Sequence, residues 1–261
     1  GCGLLGGNSR PDWVDGKSVE YPSTQYITGV GQGDSRARAS DQAYAAISKI
    51  FKAQVEAQAK DWESYVVLES RDTSKAERTL TLDNLTKVST DKVLENVSIA
   101  DMWYDAKAGV HYALALMNRS QAEASLMDRI SALDRSIAAD VTEARETDDK
   151  LAKVRALRRS VSQVVVREAY NADLRVIRLS GSGTPSPYQV NELSGELEQF
   201  LARNLALDVQ VSGDHAEPVQ RALTEGLARR GFRVTNGVER EYIVKPELLV
   251  RGAARLFPVD V

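Results

Sequence analysis

Between Ser120 and Ser180 the chain carries neither glycine nor proline. A run of that length without a helix breaker has few outcomes other than helix. Within it, Leu126, Ile130, Leu133 and Ile137 step by fours and threes, and so do Val154, Leu157, Val161 and Val164. Such a seam buries one stripe of a helix against another helix. Ser120-Gln-Ala-Glu123 reads as a capping box at its start. The polar stretch 143–149 separates the two seams, and Thr147 or Asp148 is placed to cap a new helix. Two readings fit. One is an antiparallel helical hairpin over residues 120–175, which is preferred. The other is one long helix whose seam runs through 126, 130, 133, 137, 144, 151, 154, 161 and 165, interrupted by Asp140, Thr147 and Arg158.

The segment before this run, residues 21–119, mixes two periodicities. Tyr26-Ile-Thr-Gly-Val30 reads as a strand, and Gly29, Gly31 and Gly33 let its end turn sharply or approach another backbone. Ser40 is a candidate helix cap, and Tyr44, Ile47, Phe51 and Val55 make one apolar face, so a helix is predicted over 38–60. Residues 64–69 fit either strand or helix. Leu82, Leu85, Val88 and Leu94 predict a second helix over 80–94. Val97 to Asp105 and Val110 to Met117 alternate as strands around the turn Lys107-Ala-Gly109. In the second strand Val110, Tyr112, Leu114 and Leu116 share one side, and His111, Ala113, Ala115 and Met117 the other. The expectation is an α+β module, a small sheet with helices on one face. Residues 1–20 read as a tether with Trp13 as a first anchor.

Gly181-Ser-Gly-Thr-Pro-Ser-Pro187 reads as the clearest linker in the chain. Beyond it, residues 188–204 predict a helix, 206–211 a strand, and Pro218 the first turn of a helix reaching Arg230, with Gly231 as its stop. Phe232 to Thr235 and Tyr242 to Arg251 predict strands. Residues 176–261 are therefore expected to form a second small α/β domain. Its end, Leu256 to Val261, is apolar and without a terminator, so the domain reads as incomplete there or its last strand pairs elsewhere.

Little in the chain resembles catalytic machinery. Gly29-Val-Gly-Gln-Gly33 has the spacing G-x-G-x-G, not that of a dinucleotide or P-loop motif, and reads as structural. His111 and His215 lack ligand spacing, so no metal site is expected. Asp101 and Asp105 lie ~13 Å apart along one strand by strand rise, too far for a carboxylate pair, and read as solvated strand ends. Arg155, Arg158 and Arg159, and Arg229, Arg230 and Arg233, form basic clusters without interleaved stacking aromatics. The chain has 34 Lys plus Arg against 37 Asp plus Glu. That balance gives no pull toward nucleic acid, and none is expected as a partner. No enzyme activity and no cofactor are expected.

The single cysteine, Cys2, excludes an internal disulfide framework. Gly1-Cys2-Gly3 looks like the end of a lipobox and the start of a mature bacterial lipoprotein. An acyl (palmitate-type) lipid on Cys2 is therefore expected, and the glycine-rich stretch after it suits a flexible tether.

Tyr26-Ile-Thr-Gly-Val-Gly31, the alanine-rich helix after it, Asp101-Met-Trp103-Tyr-Asp105 and Tyr112-Ala-Leu-Ala115 together resemble the LPP-twenty type of bacterial outer-membrane lipoproteins. The N-terminal domain of the flagellar assembly proteins FlgT and FlgP is similar. The resemblance covers residues 10–119, and its motif rests on Gly29, Gly31, Gly33, Trp103 and Tyr112. It implies a small α+β domain, lipidation, the periplasmic face of the outer membrane, and assembly into homo-oligomers or with other envelope proteins, as in the flagellar members. The C-terminal unit also looks faintly like the N-terminal domain of TolB. The expected role is a structural or assembly lipoprotein. The alternative is a regulatory module that activates or recruits a cell-envelope enzyme.

Overall fold

The computed structural model describes residues 9–58, 85–87, 89–212, 216–229, 232–235, 242–246 and 254–258. The expectations for Cys2, for residues 64–69, and for Leu82, Val88, His215 and Gly231 lie outside them. The fold is α+β, and the chain compacts into two units. These units cut across the linear segments 21–119, 120–175 and 176–261, because two long helices contribute residues to both.

The first unit comprises residues 1–60, 82–132 and 166–186. It holds strand β1 (Tyr26–Gly33), helix α1 (Arg36–Gln58), β2 (Val97–Asp105) and β3 (Val110–Asn118). Residues 85–87 and 89–94 are helical. The sheet order is β1-β3-β2, and β3 is antiparallel to both neighbours. β1 and β2 therefore run parallel to each other as the two outer strands. The hairpin closes at Gly109, whose φ of 67° suits glycine alone at low cost. A bulge interrupts β2 between Ile99 and Asp101.

Helix α1 buries Ala39, Ala43, Ile47, Phe51 and Val55, an i, i+4 stripe, against one face of the sheet. It starts earlier than the periodicity predicts. Ser35 Oγ accepts the Arg38 amide at 3.3 Å, and Asp34 pairs with the Arg38 guanidinium at 3.2 Å. Ser40, the predicted cap, lies inside the helix and donates to the Arg36 carbonyl at 3.0 Å.

Helix α2 (Arg119–Glu146) follows β3 directly, and α3 (Lys150–Ile177) follows α2. The cap of α2 is Asn118, whose Oδ1 accepts the Gln121 amide at 3.1 Å. The predicted capping box at Ser120 does not form, and Glu123 instead receives Arg178 at 2.8 Å. Asp149, rather than Thr147 or Asp148, caps α3. Its Oδ1 accepts the Leu151 and Ala152 amides at 2.8 and 3.0 Å, which holds its carboxyl below the usual range. The break at 147–149 makes two helices rather than one. They are antiparallel, since Arg159 reaches Asp140 and Arg119 reaches the Ile177 carbonyl.

The second unit comprises residues 61–81, 133–165 and 187–261. Helix α4 (Val190–Asn204) buries Leu197 and Leu201 against Ala144 and Leu157, with Phe232 beside them. Its sheet has the order β5-β4-β6-β7. β4 (Ala206–Val209) is buried along its whole length, as expected for a strand flanked by parallel neighbours. Helix α5 (Ala216–Arg229) carries Pro218 in its first turn. β5 (Arg233–Thr235) and β6 (Tyr242–Pro246) lie parallel to β4. β7 (Ala254–Pro258), which the periodicity does not predict, pairs antiparallel with β6.

Candidate functional site

The sheet of the first unit carries every residue of the predicted motif among the described residues. In β1 the side chains alternate, so Gly29, Gly31 and Gly33 share the face that α1 covers. A Cβ on Gly31 would stand 2.1 Å from the Ala39 carbonyl oxygen and 2.2 Å from the Ala43 nitrogen. On Gly29 it would stand 2.5 Å from the Ala43 carbonyl oxygen, and on Gly33 2.6 Å from Arg38 Cβ. The glycines therefore let strand and helix meet through main-chain atoms. They do not form a turn. All three are paired with β3, Gly29 with Ala115, Gly31 with Ala113 and Gly33 with His111. They are not a phosphate-cradling loop.

The opposite face is aromatic. A short 3-10 helix, Asp12–Asp15, sets Trp13 against Leu114 and Leu116. Trp13 is 6% exposed, and its Nε1 donates to Asp101 Oδ2 at 2.8 Å. Tyr21 meets Tyr26 edge-on with centroids 5.5 Å apart, and Trp103 packs on Tyr112 at 5.4 Å. The Arg10 guanidinium covers Tyr112 at 5.8 Å and pairs with Asp15 at 2.6 Å. A recess of about 350 Å³ lies beside Trp13, lined by Lys17, Tyr21, Pro22 and Thr28 among others. Trp103 Nε1 is buried without a hydrogen-bond partner among the described residues. Asp101 and Asp105 are not simply solvated strand ends. Asp101 ties down Trp13, and Asp105 accepts the Lys107 and Ala108 amides of the hairpin turn at 2.9 and 3.1 Å.

Residues 181–187, predicted as a linker, are strapped to α3. Arg167, fully buried, donates to the Thr184 carbonyl at 3.1 Å and the Pro185 carbonyl at 2.7 Å. Asn171 Oδ1 accepts the Thr184 amide at 2.7 Å, and Arg178 donates to the Gly183 carbonyl at 2.9 Å. Arg119 covers the end of α3 by donating to the carbonyls of Val176 and Ile177 at 2.9 and 2.6 Å. These arginines satisfy backbone groups that would otherwise lose their hydrogen bonds on burial.

One buried acid stands apart. Asp173 is fully buried and accepts a hydrogen bond from Ser89 Oγ, while its Oδ1 has no partner among the described residues. Burial pushes its carboxyl up to about 7. Among the described residues no three His, Cys, Asp or Glu side chains converge as a metal site. His111 stacks on Tyr104 with centroids 4.5 Å apart. In the basic cluster at 155–159, Arg159 pairs with Asp140 and Glu143, and Arg158 covers the Phe232 ring at 5.8 Å. No described helix is long and apolar enough to cross a membrane.

Residues 11–118 match the family described as LPP20 lipoprotein. This segment is similar to the LPP20 lipoprotein family. The matched span begins two residues before Trp13 and ends with the last residue of β3. The LPP20 module is thus the three-stranded sheet with α1 on one face and the tryptophan latch on the other. The matched family is one of lipoproteins, and the match covers less than half of the chain. Among solved structures the chain is similar to the secreted protein HP1454 of Helicobacter pylori, at 16% identity and a TM-score of 0.38. That similarity covers 90% of this chain and 83% of the other. No curated protein matches.

Proposed function

We propose that this chain is a lipoprotein held by an acyl group on Cys2 at the periplasmic face of the outer membrane, where it contributes surfaces to a homo-oligomeric or envelope assembly rather than catalysing a reaction. The observation that supports this most is how the polar groups of the LPP20 module are used. Asp101, Asp105, Asn118 and Arg119 are all engaged in latching, turning and capping, while both outer strands of the sheet stay unpaired among the described residues. The Trp13 latch also fixes a reach. Ten residues lie between Cys2 and Trp13, so the module stands within about 40 Å of its lipid. Replacing Cys2 by serine is expected to move the protein from the outer-membrane fraction to the soluble periplasmic fraction. Retention in the membrane would remove the anchoring part of this reading. Light scattering of the lipidated protein in detergent is expected to give a multiple of the chain mass.

The recess beside Trp13 favours a second reading, a regulatory module bound one-to-one to an envelope enzyme. Crosslinking in cells would then give a single heteromeric species and no homo-oligomer.

A further inference from the structure

The two outer strands of the first sheet are complementary to each other. β1 and β2 are parallel, and among the described residues neither pairs on its outer side. The cross-strand rows are explicit. Gly31, Ala113 and Met102 form one row, and Gly33, His111 and Tyr104 the next. Members of a row share a face, so Met102 and Tyr104 lie on the side of the sheet that α1 covers. α1 itself sits over β1 and β3, drawn tight to β1 by the glycines. Met102 and Tyr104 are consequently left 42% and 43% exposed.

The opposite edge presents a receptor. A recess of about 370 Å³ runs along β1 between its outer side and α1, lined by Val30, Gln32, Gln42, Ala45, Ala46 and Lys49. Ile50, one helical turn beyond Ala46, is itself 44% exposed. If a second copy continues the sheet in the same orientation, its β2 lies parallel to β1. With no stagger, its Met102 stands beside Gly31 and its Tyr104 beside Gly33, on the recess side. Because α1 runs opposite to β1, Gln42 stands at the level of Gly31 and Arg38 at that of Gly33, so Met102 then lies along Gln42 and the Arg38 guanidinium is the cation nearest the Tyr104 ring. Edge pairing also supplies partners to exposed backbone N–H and C=O groups on both strands. The bulge between Ile99 and Asp101 restricts this pairing to the second half of β2, which is the half opposite the recess.

We propose that β2 of one copy adds to the outer side of β1 of the next, with Met102 and Tyr104 seated in the recess between β1 and α1. The contact is head-to-tail, so its repetition closes a ring or extends a filament. It rests on the assembly reading above and identifies the surface that reading requires.

The test uses the full chain carrying Cys2→Ser, so that introduced thiols are the only ones present. Met102→Cys and Gln42→Cys are made singly and together. Both positions are exposed, so the fold should be undisturbed, and circular dichroism checks this. Oxidation of the double variant is expected to give a ladder of disulfide-linked multimers on a denaturing gel, with each single variant running as one chain. A disulfide dimer of Met102→Cys alone would set two β2 edges together and overturn the head-to-tail contact. Light scattering reads assembly independently. A multimer that yields no ladder overturns the edge contact but leaves the assembly reading intact, whereas single-chain mass at every concentration overturns both. Met102→Lys supplies a second arm. It is expected to reduce the multimer to single chains with an unchanged far-ultraviolet spectrum, and a multimer indifferent to it overturns the proposal.

Discussion

Among the described glycines, Gly31 has the least room for a side chain. A methyl group there would overlap the Ala39 carbonyl and the Ala43 amide, both main-chain atoms of a packed helix. Gly31→Ala is therefore expected to cost at least about 2 kcal/mol by urea denaturation, because α1 must shift bodily. Trp13 separates packing from hydrogen bonding. Trp13→Phe should lose the indole bond to Asp101, about 1 kcal/mol, while Trp13→Ala should lose about 3–5 kcal/mol with the ring. Asp173 sets a pH dependence of definite sign. Its carboxyl titrates near 3.8 when unfolded and at about 7 when folded. Between those values the folded chain keeps a proton that the unfolded chain has released, so stability falls as pH rises through that window and levels off above it. Asp173→Asn is expected to flatten this slope and to stabilise the chain at about pH 8, as read from urea midpoints at several pH values. The glycine contact is legible in the sequence, since three glycines on one face of a strand have few other uses. The Trp13–Asp101 bond is not, because its partners lie 88 residues apart and nothing local links them.

At the scale of elements, the helices follow from periodicity, but their ends do not. The S-x-x-E pattern at Ser120 matches a capping box, yet the strand before it hands over directly to the helix and Asn118, two residues earlier, takes the role. Asp149 was one position beyond the expected cap, because Thr147 also offers an oxygen and bonds the Asp149 amide instead. Asp149→Ala is expected to lower the urea midpoint by loosening the first turn of α3. Its carboxyl is held low in the folded chain, so the stability it contributes should disappear as pH falls through that lowered value. Composition misled most at 181–187. Gly, Ser and Pro report that a segment is not helical, but they are silent about what it lies against. The partners are Arg167 and Asn171, four residues apart on α3, and Arg178 just past its end. Asn171→Ala is expected to free this strap, read as faster hydrogen exchange at the Thr184 amide and earlier proteolytic cleavage within 181–187.

At the scale of the whole molecule, the hydrophobic seams of α2 and α3 look alike along their length, so no pattern in them marks where one compact unit gives way to the other. The short strands of the second sheet are equally faint. β7 could be located only through its partner β6, since its own residues lack a clean alternation. The LPP20 segment is different, because turn, glycine row and alternating hairpin agree with one another. That agreement has a practical corollary for anyone building chimaeras. With main chain seated on main chain, residues 26–58 must be grafted from one donor as a single cassette, since no side chain at this seam can be trimmed to accommodate a foreign helix.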